Sequence, residues 1–339
     1  MTWARVRAHL RADRYRLAVE AAGRYPDVRK LAGTPLLTRP EWVPPRPVPL
    51  DAVALGRAEE PGPAKALPVD GVLPDPAYRS YSAAMAALDA PTVFENRPTY
   101  RLLGATLAGP ARLEFGRGSY FDGIDTGEAA AHEYAAADLT GAPTPLRDAI
   151  GDPCELADRP ANVAISALTV RRDPAGSTFF LHWRDPAKVG HAGGLYQVVP
   201  VGVFQPTGPT PAHDEADFSL WRFMLREYAE ELLGEPERDG DAPVDYAAWP
   251  FAARMTAELA AGRVRAHCLG LGVDPLTFAT DLLVAVVIDA PVFDDLFGAR
   301  VAVNEEGSVT ERPFTAASVT GLPMQAAGAA LVRLALDLR

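Results

Sequence analysis

Residues 217–234 read DFSLWRFMLREYAEELLG, and the fold is read outward from this stretch. At about 100° per residue on a helix, Glu227, Glu230 and Glu231 fall on one face. Phe218, Trp221, Leu225, Tyr228 and Leu232 mark the core face, roughly opposite. Three carboxylates within one turn repel one another by a few tenths of a kcal/mol per pair, so a compensating positive charge is expected beside them. Mg²⁺ prefers oxygen ligands and is held by few carboxylates, which makes it the natural candidate. The alternative is a solvated acidic face. Against it, Leu220 and Phe223 lie on the same side as the glutamates. Asp217 offers the N-cap.

Strand patterns precede the helix. VAISALTVRR (163–172), STFFLHWRD (177–185) and LYQVVPVGVF (195–204) read as strands, the first two joined through the turn Asp173-Pro174-Ala175-Gly176. A polar loop, QPTGPTPAHDEAD, leads into the helix. RVRAHCLGLG and LLVAVVIDA supply two further strands, and residues 323–339 a closing amphipathic helix. Toward the N-terminus, residues 1–35 read as helix and 36–78 as a Pro-rich strap over the surface. A short helix follows over 78–88, then strands in TYRLLGATLAG and ARLEFGRGSYF, then a helix in GEAAAHEYAAADL. Mixed strands with helices before and after define an α/β class.

Composition narrows the function. The 339 residues are 48% apolar and 23% charged, with a formal net charge of −11. Residues 1–30 carry a net +5 from Arg5, Arg7, Arg11, Arg14, Arg16, Arg24, Arg29 and Lys30 against Asp13, Glu20 and Asp27, so the remainder is strongly acidic. An acidic body argues against nucleic acid as a partner. The basic helix is expected to pack Leu10, Tyr15 and Val19 inward. No run of about 18 apolar residues exists to cross a membrane, and no signal-peptide h-region opens the chain. Two cysteines, Cys154 and Cys268, give no disulfide framework and suit a reducing cytoplasm.

REYAEELLG (226–234) resembles the core of the Nudix box, whose pattern ends in Arg-Glu-x-x-Glu-Glu-x-Gly. STFFLHWRDP resembles the Nudix strand ending in an Arg-containing turn. GGLYQVVPVGVF resembles the strand before the box, with Pro200 and Gly202 in matching places, and VNEEGSVTERPFTAASV resembles the passage before the last strand and helix. The resemblance covers 161–339 and extends to Nudix-like regions of actinobacterial proteins. It implies a Nudix-like α/β/α sandwich with a mixed sheet over 161–339. In front would lie an N-terminal helix and Pro-rich strap (1–90) and an extra α+β segment (91–160).

The activity implied is Mg-dependent (or Mn-dependent) hydrolysis of a diphosphate linkage in a nucleotide-like or phosphorylated small molecule. Glu227 and Glu231 would be metal ligands, Glu230 a ligand or the general base, and Arg226 would fix a carboxylate rotamer. Arg171 and Arg184 would contact phosphate. The box departs from the pattern: Phe218 and Ala212 stand where Glu and Gly are expected, and the closing Gly234 comes one residue late. Asp214, Glu215 and Asp217 lie in the insertion and are candidates for the missing carboxylate. A second reading, consistent with the altered box, is a non-catalytic Nudix-like module that senses a ligand or binds a protein. Other chemistry on the same fold is a third. The partner expectations are a small-molecule diphosphate substrate or ligand, no nucleic acid, no membrane, and a homodimer as an option.

The remaining residues speak more quietly. The six histidines, His9, His132, His182, His191, His213 and His267, lack zinc spacing. His213 stands out beside Asp214 and Glu215. Gly270-Leu271-Gly272 lacks the third glycine of a dinucleotide fingerprint, and Ser119 reads as a turn residue. Tyr120, Phe121 and Asp122 are candidates for lining a pocket.

Overall fold

Leu282 through Ile288 is an unbroken apolar run, the pattern of a strand covered on both faces. In the computed structural model, which describes residues 1–58, 67–91, 94–184, 193–303 and 307–338, that run sits inside a ten-stranded mixed sheet. Thr280–Asp289 runs parallel to Val163–Arg172, in register from Thr280 opposite Val163 to Asp289 opposite Arg172. Its other neighbour is Val264–Val273, antiparallel. Leu282, Val284, Val286 and Ile288 join the cluster containing Phe223 and Tyr228 of the Leu220–Leu233 helix. Leu283, Ala285 and Val287 join the opposite cluster with Leu331 and Ala335 of the Ala326–Ala335 helix. Period-2 alternation thus feeds two cores, one per face, and the chain is α/β.

The sheet splits on one side. Val163–Arg172 pairs with Thr178–Arg184 only at Val170–Phe179 and Arg171–Thr178, beside the turn. Beyond that the two strands part. LYQVVPVGVF, expected as one strand, is two short ones separated by the cis Val199–Pro200 peptide. Tyr196–Val198 pairs with Thr178–Arg184, while Val201–Val203 pairs with Val163–Arg172. The chain changes partners across the opening.

Several expected boundaries move. The first helix is Trp3–Ala21, ending before Gly23 and Pro26 rather than running to 35. Its buried face is Val6, Arg7, Leu10, Arg14 and Leu17, while Tyr15 and Val19 are exposed. The reason is Glu128: this buried carboxylate pairs with Arg7 at 2.8 Å and with Arg14 at 3.0 Å, so the helix turns that face inward. The Pro-rich strap is more than a surface cover. Its Val48–Pro49 and Leu37–Thr38 segments pair with the outer side of Val264–Val273, and Leu36, Leu37, Trp42 and Leu50 are buried. Prolines are tolerated there because this is the periphery of the sheet; residues 59–66 of the strap lie outside the described residues. A second sheet of three strands, Ala54–Arg57, Arg112–Ser119 and Pro98–Thr106, packs Tyr100 and Phe115 against Phe204 and Phe218.

The polar loop before the long helix holds a helix of its own, Pro211–Asp217. The Leu220–Leu233 helix is capped by Ser219, whose hydroxyl accepts from the Arg222 amide, and not by Asp217. Gly234 closes it in the left-handed conformation, φ +69°.

Candidate functional site

A cavity of about 410 Å³ opens where the sheet splits. Ala164, Val201, Gly202 and Val203 of the parting strands line it. Glu227 and Glu230 of the long helix, with Glu237 and Arg97, contribute a second group of lining residues. The hairpin turn Asp274–Ala279, with Arg159 and Asp281, forms a third. The last comes from Ile124–Glu128, a single π-helical turn, and from Arg14. Turns of this kind are found disproportionately at functional sites.

The three helix glutamates have separate environments. Glu231 is buried, accepts from the Val201 amide at 2.7 Å through Oε1, and has His182 Nδ1 3.3 Å from Oε2. Glu227 lies directly over Gly202: a methyl at that position would overlap its carboxylate. Glu230 is largely buried, and its carboxyl is pushed up to about 8, first by desolvation and then by Glu237 and Glu231, against the opposing pull of Arg226 and Arg97. Arg226 does pair with a carboxylate, but the partner is Asp217. Its Nη1 donates to Asp217 Oδ1 at 3.0 Å and to Tyr246, and its Nη2 to the Gln205 carbonyl. Asp217 is fully buried and also accepts from the amide and hydroxyl of Thr207, both at 2.7 Å. This network ties the loop to the helix.

The other residues singled out in the sequence divide between the cavity and the frame. Arg184 and Tyr120 line the cavity. Arg171 is held elsewhere, by Asp294 at 2.7 Å and Asp173 at 3.2 Å. Asp214 pairs with Arg57, and Glu215 is exposed. His213 is buried and staples two loops, bonding Thr210 Oγ1 at 2.6 Å and the Gly240 carbonyl at 3.1 Å. Asp122 accepts from the Ser119 amide in a capping box, and Phe121 packs against Phe94 with the rings tilted. Gly270 lies at a bulge in the 264–273 strand. His191 and Asn304 to Glu306 lie outside the described residues.

Glu227, Glu230 and Glu231, expected to hold Mg²⁺ or Mn²⁺, part in their environments. Among the described residues no group of three His, Cys, Asp or Glu side chains is placed to hold a metal ion. Glu231 gives one oxygen to a backbone amide, while Glu227 and Glu230 line the cavity.

Sequence reasoning missed the opposite part of the cavity. Asp281 is buried there, bonded by Ser166 Oγ at 2.8 Å, and desolvation pushes its carboxyl up to about 7. Arg159 is 1% exposed. Phe278 holds a left-handed backbone, φ +56°, uncommon for a bulky residue. The available signal was an acid inside an apolar strand, TDLLVAVVI, which is costly unless the environment uses it.

No known protein family matches this chain, and no curated protein does. Among solved structures, NrtR of Shewanella oneidensis complexed with a 27mer DNA is similar over 51% of this chain and 59% of its own, at 14% identity and a TM-score of 0.31. The chain therefore spans less than two thirds of that protein. Membership of the Nudix superfamily, expected from the partial box, is not upheld, because no family matches. The exclusion of nucleic acid as a partner, which rested on net charge alone, is also withdrawn, because net charge does not fix the charge of a local surface. Among the described residues, no helix is long and apolar enough to cross a membrane.

Proposed function

We propose that this chain is a non-catalytic ligand-sensing module whose site is the cavity in the split sheet. The observation that carries the reading is the division of roles along the Leu220–Leu233 helix. Arg226 and Glu231 hold the surrounding frame together, while Glu227 and Glu230 line a cavity of the size that accepts small organic molecules. A module of this kind needs no converging metal ligands. Two free, buried thiols, Cys154 and Cys268, suit work in the reducing cytoplasm.

The test is a calorimetric screen of small polar molecules on the full chain without divalent metal, with product release followed in parallel in Mg²⁺. Saturable one-to-one binding that weakens in Glu227→Gln, with no Mg²⁺-dependent turnover, is the expected result. Mg²⁺-dependent turnover that disappears in Glu230→Gln would overturn the reading.

A further inference from the structure

The arginines that line the cavity differ in how their charge is balanced. Arg14 holds Glu128 with both terminal nitrogens at 3.0 Å. Arg97 pairs with Glu95 at 3.1 Å and with Glu237. Arg159 has no such partner among the described residues. Its Nε donates to the Pro153 carbonyl at 2.9 Å, Nη1 to the Pro160 carbonyl at 3.2 Å and Nη2 to Thr280 Oγ1 at 2.9 Å. All three acceptors are neutral, and Asp152, the carboxylate that acts on Arg159 electrostatically, is not in ion-pair contact with it and pairs instead with Arg39. A buried charge without a counter-charge is costly, and desolvation accordingly draws Arg159 down to about 10.

Its surroundings add to the imbalance. The Phe278 ring has two buried guanidinium groups near it, Arg159 at 6.0 Å and Arg147 at 4.6 Å from its centre. Arg147 likewise donates to carbonyls (Ala130, Pro275 and Leu276) and to the Tyr25 hydroxyl. Asp281 does not supply the missing charge. Burial favours its neutral carboxyl, and no arginine opposes that. Strained backbone concentrates where a ligand is clamped, and here the left-handed residue is in the cavity wall beside the unbalanced arginine.

We propose that the cavity takes a ligand bearing an anionic group, a carboxylate or a phosphate, which seats against Arg159 beside the Thr277–Ala279 turn and supplies its counter-charge. This rests on the ligand-sensing reading above and adds the charge and orientation of the ligand. The neutral Asp281 carboxyl offers a proton to an acceptor on the same molecule. Glu227 and Glu237 repel an anion from their part of the cavity, so the ligand enters in one sense.

The probes are inorganic phosphate and acetate, each titrated into the full chain against sodium chloride at matched ionic strength, with Tm and calorimetric heat as readouts. One of the two is expected to raise Tm saturably beyond chloride, and which one does so identifies the phosphoryl or the carboxylate group. Arg159→Gln should weaken that response at least about tenfold, while Arg171→Gln, outside the cavity, leaves it unchanged. Ala279→Glu keeps the test open should Arg159→Gln fail to fold. It places a carboxylate in the cavity wall, and should abolish the anion response while leaving Tm at or above that of the wild type. No saturable response in the wild type, or an undiminished response in both cavity variants, would overturn the proposal. A neutral molecule that binds with Glu227-dependent affinity while neither anion acts would remove this inference and leave the ligand-sensing reading intact.

Discussion

Glu231 accepts a hydrogen bond from the backbone amide of Val201 at 2.7 Å, so a helix side chain pairs with the short strand at the split of the sheet. Val201–Val203 pairs with Val163–Arg172, and at Val201 the carboxylate is the acceptor that the departing 178–184 strand does not provide. A buried amide left without an acceptor carries a large penalty. That requirement explains why a glutamate is buried at this place in a helix, with no metal invoked.

Removing the acceptor should therefore lower stability. Glu231→Ala is expected to cost about 1–3 kcal/mol in urea unfolding, and Glu231→Gln, which keeps an acceptor oxygen, clearly less. Equal losses in the two variants would show that the Val201 bond is not what the side chain provides.

The Arg226–Asp217 pair is the second structural tie, and breaking one side strands the other. Arg226→Met leaves the fully buried Asp217 without its cation, at an expected cost of about 3–5 kcal/mol. Arg226→Met combined with Asp217→Asn should recover part of that loss. A double-mutant cycle in guanidinium measures the coupling; additive single losses would mean that the two residues act independently.

How far the sequence revealed this arrangement depends on the range of the interactions. Leu282–Ile288 announced a strand covered on both faces through its own composition, and Asp173–Gly176 announced its turn. LYQVVPVGVF concealed its change of partner, because the divergence of two other strands decides it. Asp217 looked like a cap because a carboxylate before a helix serves equally well as a cap or as a buried partner. Only Arg226 and Thr207, arriving through the fold, decide between the two. Arg159 and Asp281 carry no local motif at all. Their partners Thr280 and Ser166 are 121 and 115 residues away in the chain. The three glutamates were correctly placed on one helix. The periodicity could not say that one would meet a backbone amide and the other two a cavity.

Two glycines at the cavity separate a binding effect from a stability effect. A Cβ at Gly202 would meet the carboxylate of Glu227, the movable end of a side chain, whereas one at Gly127 would meet the backbone carbonyl of Thr277. Gly202→Ala should thus change stability by less than about 1 kcal/mol while displacing Glu227 and altering ligand affinity. Gly127→Ala should destabilise by about 1–3 kcal/mol, the range of overpacking, because neither the π-helical turn nor the hairpin backbone can yield cheaply. Urea melts and the binding assay of the same two proteins check both halves. Similar stability losses in the two would contradict the argument.

The last prediction concerns pH and follows from Glu230. Its folded-state carboxyl is raised to about 8, well above the ordinary glutamate value of about 4.3, so over this interval the folded chain holds a proton that the unfolded chain has released. Stability from this group is then complete below about pH 4.3 and is lost as pH rises toward 8. Asp281, raised to about 7, acts in the same direction over a window ending near pH 7. Arg97 and Arg226 oppose the trend and stay charged throughout, while Glu237 and Glu231 reinforce it. Glu230→Gln removes the titrating proton but keeps a neutral, hydrogen-bonding side chain. Its stability relative to the wild type should therefore rise steadily between pH 5 and pH 8, as followed by urea midpoints at unit intervals. A difference that stays flat over that range would mean that Glu230 ionises in the folded chain much as it does in water, and that its environment does not favour the neutral acid.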